Sequence, residues 1–402
     1  MLRIDIHEAR DGMALALPVQ NPQVPSRTLL KAGFKLSDSI VRKLTDSGVK
    51  NIWVRYPALD FLDKFIDNSK LQAQQEVVTA ITDTFEKLQT EAAAKLNYNT
   101  YLTNVAELVD SVISNPTSSL FLGDLTDSPD DLLRHSSATT YISLLLALKL
   151  EGYLVKERKH VNPARAKTVT NLGLGAMLHD IGLKELPEEV LAHYQETNEE
   201  TDPEFQQHPL LGFRAVRGQI DPSAATIVLN HHQRYDGSGY AGKDIPILEG
   251  KNIHVFARLV AVAEQFDRLR NPQNMPQQPT VLALRAISQD PLASKFDPQI
   301  LAALLDVVPP YAPGSVVKLS DNRHAVVIDH NTQTPCRPIV QIIPNPATID
   351  PNDEDPPTGP QIDLAGQPNE LYVAEAENHD VTQFNFPRPQ SLTAQSSLAS
   401  VW

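Results

Sequence analysis

One cysteine, Cys336, stands in 402 residues. An intrachain disulfide and a thiolate metal cage are both excluded, so any metal site must be made from His, Asp and Glu. Long hydrophobic runs are also missing: none approaches the ~18 residues of a membrane span. The opening Met1-Leu2-Arg3-Ile4-Asp5-Ile6-His7 has no apolar stretch of the signal-peptide kind, so a cytoplasmic location is the expectation. Basic charge is short as well. Lys and Arg number 35 against 49 Asp and Glu, for a net charge of −14, and no basic cluster stands out. That counts against a general nucleic-acid binder, which needs a Lys/Arg face to displace counterions. A small anionic ligand stays open, because bound metals can supply local positive charge.

With 41% hydrophobic residues the chain can build real cores, and its length suits two or three domains. The expected organisation is multidomain. A central all-α helical bundle is flanked by a small N-terminal α/β module and a small C-terminal β module. Residues 1–57 form the first module, with strands at Gly12–Val19 and Asn51–Val54 and a capped helix at Ser37–Leu44. Residues 58–115 have helical spacing from Leu59 to Leu88 and read as a helical connector. It either packs onto the next domain or serves as a signal relay or homodimer helix. Residues 116–310 read as helix, with long apolar stretches at Tyr141–Leu148 and Ile253–Ala263. From 311 to 345 the period changes to strand, at Gly314–Leu319, Ala325–Asp329 and Ile339–Ile343. Residues 346–402, rich in Pro and Asp at first, read as a mobile tail.

The chemistry sits in the helical region. His179-Asp180 places imidazole beside carboxylate, and some fifty residues later His231-His232 places two imidazoles side by side. Such groups make a poor core and a good pair of metal sites. His135 and His208 also lie in helical segments. Asp131 is four residues before His135, on the same helix face. Glu264 interrupts the apolar helix Ala261–Asp267. His135 or His208 alone would be an ordinary surface or satisfied core residue; the combination carries the metal reading. His7, His160, His193, His254, His324, His330 and His379 lack such context and read as non-ligands. Imidazole and carboxylate suit iron or manganese, with zinc as the alternative. One carboxylate can bridge two ions, and two close ions can clamp both oxygens of a phosphoryl displacement.

These residues resemble the HD superfamily of metal-dependent phosphohydrolases. The further block His208-Pro209, His231-His232 and Asp236-Gly237-Ser238-Gly239-Tyr240 is similar to the HD-GYP subgroup, over about residues 125–310. That resemblance implies a metal-dependent phosphodiesterase that opens the bacterial second messenger cyclic di-GMP to pGpG or GMP, by metal-assisted in-line attack of water. It implies that His135, His179, Asp180 and Glu264 hold one divalent ion and that Asp180, His208, His231 and His232 hold a second. Asp131 stands where some members support a third. His179 and Asp180 would be catalytic. Tyr240 would lie beside the ligand, with Asp236 and Gly239 shaping the loop. The chain departs from the family at Leu183, usually Lys, with Lys184 next to it as the substitute contact. It departs also at Gln233, usually Glu; at Ala241, usually Pro; and at Glu264, usually Asp. The family's Arg-Pro-Tyr element is replaced by Arg268-Leu269-Arg270-Asn271-Pro272.

Three functions follow. The first is hydrolysis of cyclic di-GMP. The second is a degenerate regulatory module that binds metal and the dinucleotide and signals through protein partners without turnover, an idea the departures motivate. The third is an HD-type hydrolase of a nucleotide monophosphate or a related cyclic dinucleotide, which the Asp236–Tyr240 loop disfavours.

Overall fold

A computed structural model describes residues 2–22, 24–56, 131–197, 199–348, 358–367, 371–390 and 392. The expected connector over 58–115, with its relay and dimer readings, lies outside the described residues.

The N-terminal unit pairs β1 (Leu2–Asp5) with β4 (Asn51–Val54), sets β2 (Val19–Asn21) against β3 (Val24–Leu30), and adds α1 (Asp38–Asp46). A strand expected at Gly12–Val19 is instead an irregular extended run. Only Ala14 and Leu15 bridge, to Lys35 and Val54, and the strand proper begins at Val19.

The helical domain is built on two buried rods, α2 (Asp131–Lys149) and α9 (Val255–Arg270). Ser136, Ser137, Thr139, Thr140 and Ser143 of α2 are buried beside its Ile and Leu residues, so this helix has no solvent face over most of its length. Small residues Ala257, Ala261 and Ala263 let α9 lie close against it. Around them stand α3 (Glu151–Glu157), α4 (Pro163–Ala166), α5 (Thr170–Met177), α6 (Glu188–Thr197), α7 (His208–Val216), α8 (Pro222–Asn230), α10 (Thr280–Ile287) and α11 (Pro298–Val307). Three helices start on the same local signal. Asn162, Asp221 and Asp297 each accept a hydrogen bond from the second backbone N–H beyond them, and a proline follows each at the first helical position. His254 caps α9 by accepting from the Phe256 N–H, and burial pulls its pKa down to about 4, as an acceptor requires. No single helix among the described residues is long and apolar enough to cross a membrane.

Arg258 of α9 ties this bundle together. Its guanidinium donates to Glu157 on α3, to Asp297 at the start of α11 and to the Tyr153 hydroxyl, all inside the protein. Arg258→Met would leave buried Asp297 without its cation and Glu157 with Lys251 alone. It is expected to cost about 3–5 kcal/mol, read as a lower denaturant midpoint at unchanged slope.

A six-stranded antiparallel sheet closes the fold, in the order β10-β9-β5-β6-β7-β8. Its strands are β5 (Val316–Leu319), β6 (His324–Asp329), β7 (Ile339–Ile343), β8 (Gln361–Asp363), β9 (Val373–Ala376) and β10 (His379–Asp380). Ala325 and Val327 face the helical core, while Val326 and Ile328 face the N-terminal core. That two-sided burial explains the unbroken apolar run in β6. The mobile-tail expectation fails over the described part of 346–402, because β8, β9 and β10 belong to the sheet and Val381, Phe386 and Leu392 are buried beyond it; 349–357 and 393–402 lie outside the described residues. Arg388 fastens this end by donating to Asp306 and to the Ala302 carbonyl of α11.

Candidate metal centre

The centre forms where four helix ends meet. Helix α5 stops at Met177, and His179-Asp180 follow in the turn that leads into a 3-10 turn, Ile181–Glu185. This turn lies directly on the start of α7, because Gly182 has no side chain. A Cβ there would land on the His208 carbonyl oxygen and within 2.5 Å of the Gly212 nitrogen. The contact sets His208, the first residue of α7, beside Asp180. His231 and His232 emerge from the C-terminal end of α8, and His135 projects from the first turns of α2.

All five histidines and Asp180 are buried. The two oxygens of Asp180 divide them. Oδ2 lies 3.3 Å from His179 Nε2 and 3.9 Å from His135 Nε2. Oδ1 lies 3.4 Å from His231 Nε2 and 3.5 Å from His208 Nε2. Two sets of atoms thus come close enough to hold an ion each: His135, His179 and Asp180 in one, Asp180, His208, His231 and His232 in the other.

The other ring nitrogens fix the tautomers. Nδ1 of His179, His208 and His231 meets the backbone carbonyl three residues back, of Ala176, Phe205 and Val228, at 2.7, 2.8 and 2.9 Å. Nδ1 of His135 meets Asp267 Oδ2 at 2.6 Å. A carbonyl or a carboxylate only accepts, so Nδ1 carries the hydrogen in each ring and Nε2 presents a lone pair. The Nε2 atoms of His208 and His231 nevertheless stand 3.3 Å apart. Two lone pairs at that distance repel unless a cation or a proton sits with them. Buried Nε2 atoms of His135, His179 and His232, with Asp180 Oδ1 and Glu264 Oε2, have no hydrogen-bond partner. Buried polar atoms in folded proteins are otherwise satisfied. The donor set therefore fits divalent metal.

Electrostatics agree at His208 and His232, whereas at His179 burial opposes the charge but Asp180 lifts the pKa above its ordinary value. Burial opposes the charge on Asp180, yet His179, His231 and Arg268 hold its carboxyl well below the usual range. Burial pulls His208 down to about 3 and His232 well below its ordinary value, the latter helped by His231 and His208. Both rings are thus kept neutral, as a ligand must be.

Several expected site residues lie elsewhere. Glu264 is not brought to the His135–His179 set. Its Oε1 lies 3.7 Å from His232 Nε2 and accepts from Arg268 Nε at 3.0 Å. It groups with His232 and Glu200. Asp131, expected to support a third ion, has a largely exposed side chain 3.5 Å from Arg134 and joins neither set. Tyr240 stacks on the far face of His232, with centroids 4.5 Å apart and planes at 16°, and does not line the cavity beside the metal sets. Asp236 is exposed and accepts from the Ser238 N–H and hydroxyl. Gly239 lets its loop cross the His232 carbonyl, which a Cβ would strike. Tyr240 and Gly239 thus pack against His232, while Asp236 holds the turn of the loop. The departure at Gln233 has a structural reason, since its amide donates to the Pro246 carbonyl and accepts from the Leu248 N–H. A glutamate could not make the first bond.

Asp267, Glu200, Arg268, Tyr194 and Arg134 escaped the sequence reading. Asp267 and Arg268 carry a faint signal, three and four residues after Glu264 on one helix. Glu200 lies in an acidic loop with no periodicity. Asp267 orients His135, so Asp267→Asn should weaken metal at the His135–His179 set about 10–100-fold and spare the His208–His231–His232 set. A competition titration with a metal indicator would separate the two steps.

Beside the centre opens a cavity of about 460 Å³, within the usual size range for small-molecule sites. His135 and Asp180 form its floor, and Arg134, Lys184, Arg268 and Tyr194 line its walls. Leu183 and Lys184 both border it. Of the four expected substrate contacts, Lys184 alone is there. Asn271, Gln273, Asn274 and Gln195 add amides at the rim.

A helical domain that gathers histidines around a His-Asp pair defines the HD class, and residues 135–300 match the family model described as HD domain. Over these residues the chain is similar to the HD superfamily and to its HD-GYP branch. It is 29% identical over 246 residues to a cyclic di-GMP phosphodiesterase of Pseudomonas aeruginosa, covering 59% of this chain and 54% of that one. It is 34% identical over 135 residues to the cyclic di-GMP phosphodiesterase response regulator RpfG of Xanthomonas campestris, covering 33% and 35%. A cyclic di-GMP phosphodiesterase of Thermotoga maritima is 34% identical over 143 residues, covering 34% and 37%. The match thus spans about half of the first relative and about a third of the other two. Among solved structures, the HDG"Y"P protein Bd1817 of Bdellovibrio bacteriovorus aligns at TM-score 0.45 and 18% identity, over 76% of this chain and 98% of that one.

Proposed function

We propose that this chain is a metal-dependent phosphodiesterase that opens cyclic di-GMP to pGpG or GMP. One observation carries the reading: a single buried aspartate turns each oxygen toward a separate group of histidine Nε2 atoms. His135, His179 and Asp180 would hold one divalent ion, and Asp180, His208, His231 and His232 the other. Two such ions lower the pKa of a bound water to about 7 and neutralise phosphoryl oxygens. The chain's own part is positioning. The backbone carbonyls of Ala176, Phe205 and Val228, with Asp267, hold four rings with Nε2 inward. The cations Arg134, Lys184 and Arg268 face the cavity where an anionic diester would lie, and the amide rim can meet base edges. The relatives named as cyclic di-GMP phosphodiesterases support this substrate.

The regulatory alternative, a module that binds metal and signals without turnover, now rests on Leu183 and Ala241, since Gln233 has its own structural duty. Metal-loaded protein incubated with cyclic di-GMP decides, with products separated by chromatography. Appearance of pGpG or GMP is expected. Saturable binding with no product would favour the regulatory module, and turnover of 3′,3′-cGAMP in preference would reassign the substrate.

A further inference from the structure

Arg268 plays no part in the metal sets, yet it is the most heavily anchored cation at the cavity. Its Nε donates to Glu264 Oε1 at 3.0 Å. Nη1 donates to the Tyr194 hydroxyl and lies 3.3 Å from Glu200 Oε1. Nη2 lies 3.7 Å from Asp180 Oδ2, beyond a hydrogen bond, on the side that opens to the cavity. The side chain is 19% exposed and lines the cavity. Arg134, by contrast, sits between Asp131 and Asp267 at 3.5 and 3.7 Å.

We propose that Arg268 is a phosphate-contacting residue that clamps a non-bridging oxygen of the diester lying over Asp180. Three anchors fix the guanidinium in place, so it meets developing negative charge without reorganising. A phosphoryl oxygen held beside Asp180 Oδ2 would lie within reach of Nη2, which stands 3.7 Å from that carboxylate oxygen. The guanidinium also pairs with both carboxylates of the Glu200–His232–Glu264 group, the one remaining cluster among the described residues that could take an ion. That restricts the centre to the two sets that share Asp180. The inference rests on the phosphodiesterase reading.

The test uses the full chain loaded with manganese and inorganic phosphate as the probe, by titration calorimetry, with elemental analysis of each sample. Arg268→Met is expected to bind phosphate roughly tenfold or more weakly, with Arg268→Lys in between and metal content equal in all three. Equal phosphate affinity in the wild type and Arg268→Met overturns the proposal. So does loss of metal from Arg268→Met, which would make the residue a support for Glu264 and Asp180. Phosphate binding that depends on Arg268, in a protein that leaves cyclic di-GMP intact, would keep this inference and sink the phosphodiesterase reading.

Discussion

Asp180→Ala is expected to empty both metal sets at once. Each carboxylate oxygen faces a different histidine group, so one substitution removes a ligand from each. What remains is His135 with His179 on one side, and three histidines with facing lone pairs on the other. Turnover should fall by more than the roughly 10–100-fold that follows loss of an orienting partner such as Asp267. His135→Ala is the contrasting variant, expected to deplete the first set alone. Elemental analysis after gel filtration is the measurement. Full metal content in the Asp180 variant would show that the bridging assignment is wrong.

Gly182→Ala is expected to be as damaging without touching a ligand. Its Cβ would strike the His208 carbonyl and crowd the Gly212 amide, and both obstacles are backbone. Backbone cannot rotate aside as a side chain can, so the 3-10 turn and α7 must part. The cost should be about 3 kcal/mol or more, above ordinary overpacking. At roughly 2–4 °C per kcal/mol, the melting temperature should drop by about 6–12 °C. Separating the two elements also moves His208 from Asp180, so metal at the His208–His231–His232 set should weaken in the folded fraction. Calorimetry and metal titration together test this. A variant that melts with the wild type and retains its metal would mean that the close approach at Gly182 is not maintained in solution.

Legibility along the chain followed the physics of each signal. The helices at Tyr141–Leu148 and Ile253–Ala263 were readable because burial makes each a long apolar stretch. The apolar strands β6 and β7 were readable because burial imposes composition. Strands β8 and β10, with three and two residues, are too short to show a period. Their partners are supplied by the sheet, and they were mistaken for tail. In the centre, His-Asp and His-His announce themselves because few other uses explain such pairs. Asp131 misled for the opposite reason: sharing a helix face with His135 says nothing about the rotation that leaves its side chain toward solvent beside Arg134.

The sequence by itself determined the donor chemistry: five imidazoles and one carboxylate beside them, with no thiolate to compete. Tertiary structure alone decided how those donors divide. Glu264 went to Arg268, Asp267 went to His135, and Tyr240 went behind His232. The reason is geometric. Residue type follows from local composition, whereas the direction of a side chain depends on how α2, α7 and α9 pack, and the pairing of His135 on α2 with Asp267 on α9 joins positions more than a hundred residues apart.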